Sequence, residues 1–234
     1  ISVTGVQTCA LPICFTLLAV LREYGVRATF YVTPDSVKQR LDGWKQAIAD
    51  GHEIGNHSRL HPCSGNFQWS RHKALEHYTL EQMEEELQLA SVQIEAILGV
   101  NPVSFAYPCG QTFVGRGEQT RSYVPIVARH FQSGRGWLDE AANDPVFCDM
   151  AQLTSLELDK KHFEDVLPLL ESASKQGHWL VLTGHDMGEE GSQTTKLETL
   201  RKTFEYLKQH SGEFWVAPVQ EIAQYVEDNR KPVE

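Results

Sequence analysis

The chain has 234 residues, 41% of them hydrophobic and 22% charged, an ordinary globular composition sized for one large domain or two small ones. Its 31 acidic and 21 basic residues leave a net charge of −10, which argues against nucleic acid or an anionic membrane surface as partner. No apolar run is long enough to span a bilayer, and the first fifteen residues lack the basic n-region of a signal peptide.

Helix-like and strand-like stretches alternate. Phe15–Tyr24 is apolar at helical spacing and stops at Gly25. "RATFYV" (27–32), rich in β-branched and aromatic residues, reads as a buried strand, with Asp35 as a turn residue after Pro34. Asp42–Asp50 reads as a short helix ended by Gly51, and "HEIGNH" as a strand running into a loop. Thr79–Leu98 is a long amphipathic helix, with Thr79 and Gln82 in a capping box and Gly99 as its stop. "VSFAYP" (103–108) is the next strand, Arg121–Phe131 a helix, and "AQLTSLEL" (151–158) a strand. Lys161–Gln176 is a helix closed by Gly177, and "HWLVLTGH" (178–185) the most apolar strand. Thr195–His210 reads as a helix, "EFWVAP" (213–218) as a strand and Val219–Asp228 as a last helix. This alternation implies a parallel sheet, and the number of units favours a barrel over an open sheet. In such barrels, sites form where strands pass into loops, which is where His57, Tyr107 and His185 fall.

"GHEIGNHSRLH" (51–61) holds His57 and His61 four apart, a spacing at which two imidazoles can share one cation. Ten histidines produce about 0.4 such pairs by chance, so the spacing alone says little. The order of segments says more. "ATFYV" followed by "GHEIGNHSRLH", then "SFAYPCG" (104–110), then "LVLTGHD" (180–186), resembles the NodB-like polysaccharide deacetylase family, carbohydrate esterase family four, from Phe15 to the C-terminus.

The resemblance implies a distorted (β/α) barrel and removal of N- or O-acetyl groups from an acetylated glycan. It makes His57 and His61 ligands of a divalent metal, expected to be zinc, and His185 the catalytic acid for the leaving amine or alkoxide. It places Tyr107, Trp137 and the backbone N–H of Cys109 at the substrate and oxyanion. Asp139 or Asp144, in "RGWLDEAANDP" (135–145), is a candidate support for His185; Trp137 as a core residue and the acids as solvated loop charges is an equally open reading. Trp69 is a candidate sugar-stacking platform, with core packing as the plainer reading. His52 and His72 are left without a role.

The sequence departs from the family in several places. The third metal ligand and the general base are aspartates of a Thr-Phe-Asp-Asp motif on the first strand. The first thirteen residues hold no Asp or Glu. Val3–Ile13, "VTGVQTCALPI", back-translates into a short-read library adapter, and a cysteine codon continues it at Cys14. Residues 1–14 are therefore expected to be a non-native segment, and 15–234 a domain with its first strand missing or replaced. That would leave Ala28–Val32 with an open edge. The arginine that the family often places before the Pro dipeptide is Ala106 here, and Thr183 takes the position of a leucine. The sequence leaves open whether Cys63 and Cys109 form a disulfide with each other or with Cys148; one bridge would favour an extracytoplasmic home. The chain as it stands is expected to be impaired. Two other readings stay open: a degenerate glycan-binding barrel without turnover, and a hydrolase of small amides on the same fold.

Overall fold

The structure is a computed structural model that describes residues 15–230. The expected non-native segment 1–14 lies outside the described residues.

Helix α1 (Phe15–Tyr24) buries Leu17, Leu18, Val20 and Leu21 and ends at Gly25, which has φ +67°. Strand β1 (Thr29–Val32) is buried at all four positions, as a strand covered on both faces must be. The segment after it is a helix and not a turn. Thr33 and Ser36 cap each other around Pro34, opening α2 (Pro34–Gln39), and Asp35 sits in its first turn, paired with Lys38 at 2.9 Å. Helix α3 (Leu41–Ala49) leads to β2 (Glu53–Asn56), which runs parallel to β1. Helix α4 (Leu80–Leu98) has the expected reciprocal bonds between Thr79 and Gln82 and a left-handed Gly99.

Strand β3 (Ser104–Ala106) follows. The expected helix from Arg121 starts later, because β4 (Phe113–Val114) and β5 (Arg121–Ser122) form a small antiparallel pair ahead of α5 (Val124–His130). Strand β6 (Ser133–Arg135) carried no signal of its own. It is Ser-Gly-Arg, without an apolar residue, and tertiary packing makes it a strand. A Cβ on Gly134 would meet Val127 at 2.7 Å and the Ala151 carbonyl at 2.9 Å. The stretch 151–158 opens as a 3₁₀ turn (Met150–Gln152) and narrows to β7 (Leu156–Glu157). Helix α6 (Phe163–Gln176) closes at Gly177, and 178–185 contributes only β8 (Leu182–Thr183), parallel to β7. Strands β9 (Asp186–Gly188) and β10 (Thr194–Lys196) pair with each other before α7 (Leu197–Gln209) and α8 (Val219–Asn229).

The stretch 213–218, expected as a strand, joins none of the ladders of the described strands, and Phe214 and Ala217 are buried. The Val219 N–H, just after it, donates to Thr29 Oγ1 at 2.8 Å, so the segment passes beside β1.

The main sheet has the order β1–β2–β3–β6, all parallel. A parallel bridge between Arg135 and Leu153 carries the wall on towards β7 and β8. Among the described residues β1 pairs with β2 alone and lies at one end of that order. This is an α/β barrel of the distorted kind, as expected. One apolar cluster packs α1, α6 and α7 around Phe30, Trp44 and Leu180. A second packs α4 and α5 on Phe105 and Tyr107. Because the strands are parallel, residues just past their C-terminal ends gather on one face: His57 after β2, Tyr107 after β3, Trp137 after β6, Asp159 after β7 and His185 after β8.

Candidate active site

The loop after β2 is set by its own polar side chains. Asn56 donates to the Leu87 carbonyl at 2.9 Å and accepts the Ser58 N–H at 2.7 Å. Ser58 Oγ in turn accepts the His61 N–H at 3.0 Å, and Glu86 of α4 holds Arg59 and the Leu60 N–H. The chain bends so tightly that Ser58 and His61, neither a glycine, have φ of 61° and 53°. The bend brings the His57 and His61 rings edge to face, with centroids 4.6 Å apart.

His57 is fully buried. Its Nδ1–H donates to the Ala106 carbonyl at 2.8 Å, which fixes the tautomer and puts the lone pair on Nε2. Burial, then the neighbouring His61, then Arg135 hold His57 well below the usual imidazole range. Burial, helped by Lys73, takes His61 down to about 4. Both rings are neutral at pH 7, the form that a cation needs.

His57 and His61 suit two positions of a divalent-cation site, but the donor set is incomplete. Among the described residues no carboxylate joins the two rings in a group of three, and Asp35 is exposed and paired with Lys38. The only such triple there is His61 with Cys63 and Cys109. The pairing that the sequence left open is a disulfide between Cys63 and Cys109, and Cys148 is free.

His185 is held differently from what the sequence indicated. Its Nδ1 lies 2.6 Å from Asp159 Oδ2, and its backbone N–H donates to Oδ1 of the same carboxylate at 3.0 Å. Thr195 donates to Oδ1 at 2.8 Å. Asp139 and Asp144 do not support His185. Asp139 accepts the Ser155 N–H at 2.8 Å, and Asp144 accepts the Val146 N–H at 2.8 Å. Asp159 was missed because it stands outside the segment that resembles the family's fourth motif. Its one sequence signal was an acid at the end of a strand, in "SLELD". Gln193 Nε2 adds a contact to His185 Nε2 at 3.3 Å.

His61, Tyr107, Cys109, Trp137 and His185 line one cleft of about 440 Å³, and His57 lies beneath His61, closed to solvent. Trp137 stands edge-on to His185 at 4.6 Å. Tyr107 presents its ring and not its hydroxyl, which donates to the Ala151 carbonyl at 2.8 Å. Cys109 is left-handed, with φ 54°, and Gly110 beside it has φ +68° and lies against the Trp137 backbone. Phe67 and Trp69 line the same cleft, tilted 33° to each other, and Trp69 is 51% exposed. Trp69 is therefore not a core residue. His52 is buried and accepts the Ala28 N–H, and His72 is exposed, so neither belongs to the site.

A buried arginine stands one strand away from position 106. Arg135 of β6 is in register with Ala106 of β3. It is buried, its guanidinium lies 4.6 Å over the Tyr31 ring, and it donates to the Gly136 carbonyl at 2.9 Å.

Residues 11–123 match the family model for polysaccharide deacetylase. Over 94 residues the chain is 34% identical to the uncharacterized protein YlxY of Bacillus subtilis, covering 40% of this chain and 26% of that protein. Over 46 residues it is 44% identical to an uncharacterized 30.6 kDa protein of Geobacillus stearothermophilus, covering 20% of this chain and 17% of that one. The chain thus spans only a minor part of these curated relatives. Among solved structures it resembles a Mycobacterium smegmatis protein assigned as a polysaccharide deacetylase, with TM-score 0.67, 17% identity, and coverage of 93% of this chain and 79% of that one. Peptidoglycan deacetylase PdaC of Bacillus subtilis follows at TM-score 0.57, 16% identity, and 97% and 92% coverage. A CE4 family pseudoenzyme of Bacillus anthracis gives TM-score 0.52, 19% identity, and 95% and 65% coverage. Residues 11–123 therefore carry the polysaccharide deacetylase family domain, and the chain has the fold of that family.

Proposed function

We propose that this domain is built to remove acetyl groups from an acetylated glycan, and that the chain as it stands retains the acid half of the site without the base half. The observation that carries this reading is His185, held by the buried Asp159, on the wall of the same cleft as His61. Asp159 holds one proton of His185 on Nδ1, so it is a second proton, carried on Nε2 of the charged ring, that passes to a leaving amine or alkoxide and leaves the ring neutral. Gln193, at 3.3 Å, keeps that nitrogen in a polar contact until substrate arrives. His57 and His61 would hold a divalent cation of the zinc class, which when bound polarises water and the acyl oxygen. Trp137 and Tyr107 give the cleft flat apolar walls. Phe67 and Trp69 offer aromatic faces at its mouth, a surface suited to the apolar face of a sugar ring. The disulfide favours an oxidising compartment.

No described residue takes the part of the third ligand or of the base, and no base step is assigned. That gap also supports a second reading, a glycan-binding barrel without turnover. The family fold accommodates such a state, since one of the similar structures is of a pseudoenzyme.

The test measures acetate release and binding with N-acetylated chito-oligosaccharide and acetylated xylan in the presence of zinc. It compares this chain with a version given a first strand that carries Thr-Phe-Asp-Asp. The deacetylase reading expects turnover from the restored chain only, lost again in its His185→Ala form. Glycan binding by both chains without acetate release selects the second reading. Neither binding nor release from the restored chain ends both.

A further inference from the structure

The disulfide and His61 have a use beyond the reading above. We infer that Cys63, Cys109 and His61 form a reduction-dependent binding site for a thiophilic divalent cation such as Zn²⁺. These residues offer one nitrogen and two sulfurs, all within 4.8 Å of one another. His61 Nδ1 lies 3.6 Å from Cys63 Sγ. Two donors about 2.05 and 2.3 Å from a shared tetrahedral zinc stand about 3.6 Å apart, so nitrogen and sulfur already have the right separation. Two thiolates on the same ion need about 3.8 Å between sulfurs. Cα atoms 6.0 Å apart allow this by side-chain rotation once the bond is opened. Three protein donors with a fourth position open is the pattern of a reactive zinc site, not of a closed structural one.

The two loops hold together without the S–S bond. Cys63 is pinned on both sides by Ser70, whose Oγ accepts the Cys63 N–H at 2.9 Å and donates to the Cys63 carbonyl at 2.8 Å. The Leu75 N–H also donates to that carbonyl at 3.1 Å. The Cys109 turn is closed by the Gly110 N–H on the Tyr107 carbonyl at 2.9 Å. One side-chain bond joins the loops directly, from the Ser64 N–H to Gln111 Oε1 at 2.7 Å. His61 and Cys109 are both held at positive φ, which is how a preorganised ligand set commonly looks.

The chemistry balances with a dithiol reductant. It gives two electrons and two protons to the Cys63–Cys109 bond and becomes a cyclic disulfide. Binding of M²⁺ then releases two protons as both thiols become thiolates, and His61 adds a neutral nitrogen. The oxidised chain has no thiolate to offer at this place.

The experiment is a Co²⁺ titration of the whole chain carrying Cys9→Ser, Cys14→Ser and Cys148→Ser, so that only the pair remains. The reduced, anaerobic protein is expected to take up one equivalent. A sulfur-to-cobalt charge-transfer band and tetrahedral d–d bands should appear, and Zn²⁺ should abolish them. The oxidised protein should show no charge-transfer band, and neither should reduced protein with Cys63→Ser added. A cation held by His57 and His61 alone gives no sulfur band in either redox state, so the outcome is independent of the deacetylase reading. Cobalt uptake without the band in the reduced protein, or the band in the oxidised protein, overturns the site. Loss of the far-UV circular dichroism on reduction overturns it as well, because the loop contacts must survive.

Discussion

Asp159 grips His185 twice: its carboxylate lies 2.6 Å from the ring Nδ1 and accepts the backbone N–H of the same residue at 3.0 Å. The acid is itself buried and takes a third bond from Thr195. Asp159→Asn keeps the shape but turns a donor towards Nδ1 and so moves the imidazole proton to Nε2. The ¹⁵N shifts of His185 should report that change of tautomer. In a chain with its first strand restored, acetate release should fall by about 10²-fold or more. A variant that keeps the Nδ1–H tautomer and its rate would remove Asp159 from the site.

Gly184 is the residue that lets this cluster close. A Cβ there would stand 2.0 Å from Thr195 Oγ1 and 3.2 Å from Asp159 Oδ1. Gly184→Ala must push Thr195 off the carboxylate and loosen His185. The expected loss of stability is about 1–3 kcal/mol by urea unfolding. The same variant should broaden the His185 ring resonances. Gly99→Ala, at a left-handed helix end with nothing within 4 Å, should cost stability and leave those resonances alone.

These cases show where the sequence was legible. Repeating apolar spacing located α1, α4, α6 and α8, because a helix that buries one face writes its period into the chain. The segments that resemble family motifs placed His57, Tyr107 and His185 at strand ends. Strand β6 stayed hidden because Ser-Gly-Arg has no strand preference, and only the space beside Val127 and Ala151 makes it one. Asp159 stayed hidden because its importance lies in contacts 26 and 36 residues away, with His185 and Thr195.

Glu53 is a fully buried carboxyl on β2, holding Thr29 Oγ1 at 2.6 Å, Ser104 Oγ at 2.5 Å and the Gln220 N–H at 3.0 Å. Desolvation raises its pKa above the ordinary value of 4.5, against the lowering effect of these bonds. The folded chain therefore keeps this proton at a pH where the unfolded chain has lost it. The resulting stability is complete below about pH 4.5 and fades as pH rises through the raised folded value. Glu53→Gln should flatten that part of the stability–pH curve and leave the chain relatively more stable than the parent near neutrality. Parallel curves for the two proteins in chemical unfolding between pH 4.5 and 8 would show that Glu53 does not titrate there.

The Cys63–Cys109 bond closes a loop of sequence separation 46. Chain entropy alone assigns such a closure about 4 kcal/mol. Reduction, or the Cys63→Ser/Cys109→Ser pair, should lower stability by up to that amount, whereas Cys148→Ser should change little. Peptide mapping without reductant should recover the 63–109 link. Recovery of Cys148 in a bridge to either residue would contradict the pairing.

Trp69 and Phe67 provide the sharpest test of what the cleft receives. Large aromatic side chains usually gain stability by burial, yet Trp69 is 51% exposed and Phe67 42% exposed, with ring centroids 5.6 Å apart. Trp69 also lies 5.7 Å from the His61 ring and 5.6 Å from Lys73 Nζ, so its place beside the paired histidines is fixed from both sides. Little apolar area would be lost from the core on removing it. Trp69→Ala should therefore leave urea stability within about 0.5 kcal/mol of the parent. If the exposed face is a sugar platform, the same change should weaken binding of an N-acetylated chito-oligosaccharide several-fold by calorimetry. Trp215→Ala, an exposed tryptophan packed on Tyr225 and absent from the cleft lining, should not. Equal binding by parent, Trp69→Ala and Trp215→Ala would separate the aromatic pair from substrate recognition and leave the glycan assignment resting on the histidine cleft alone.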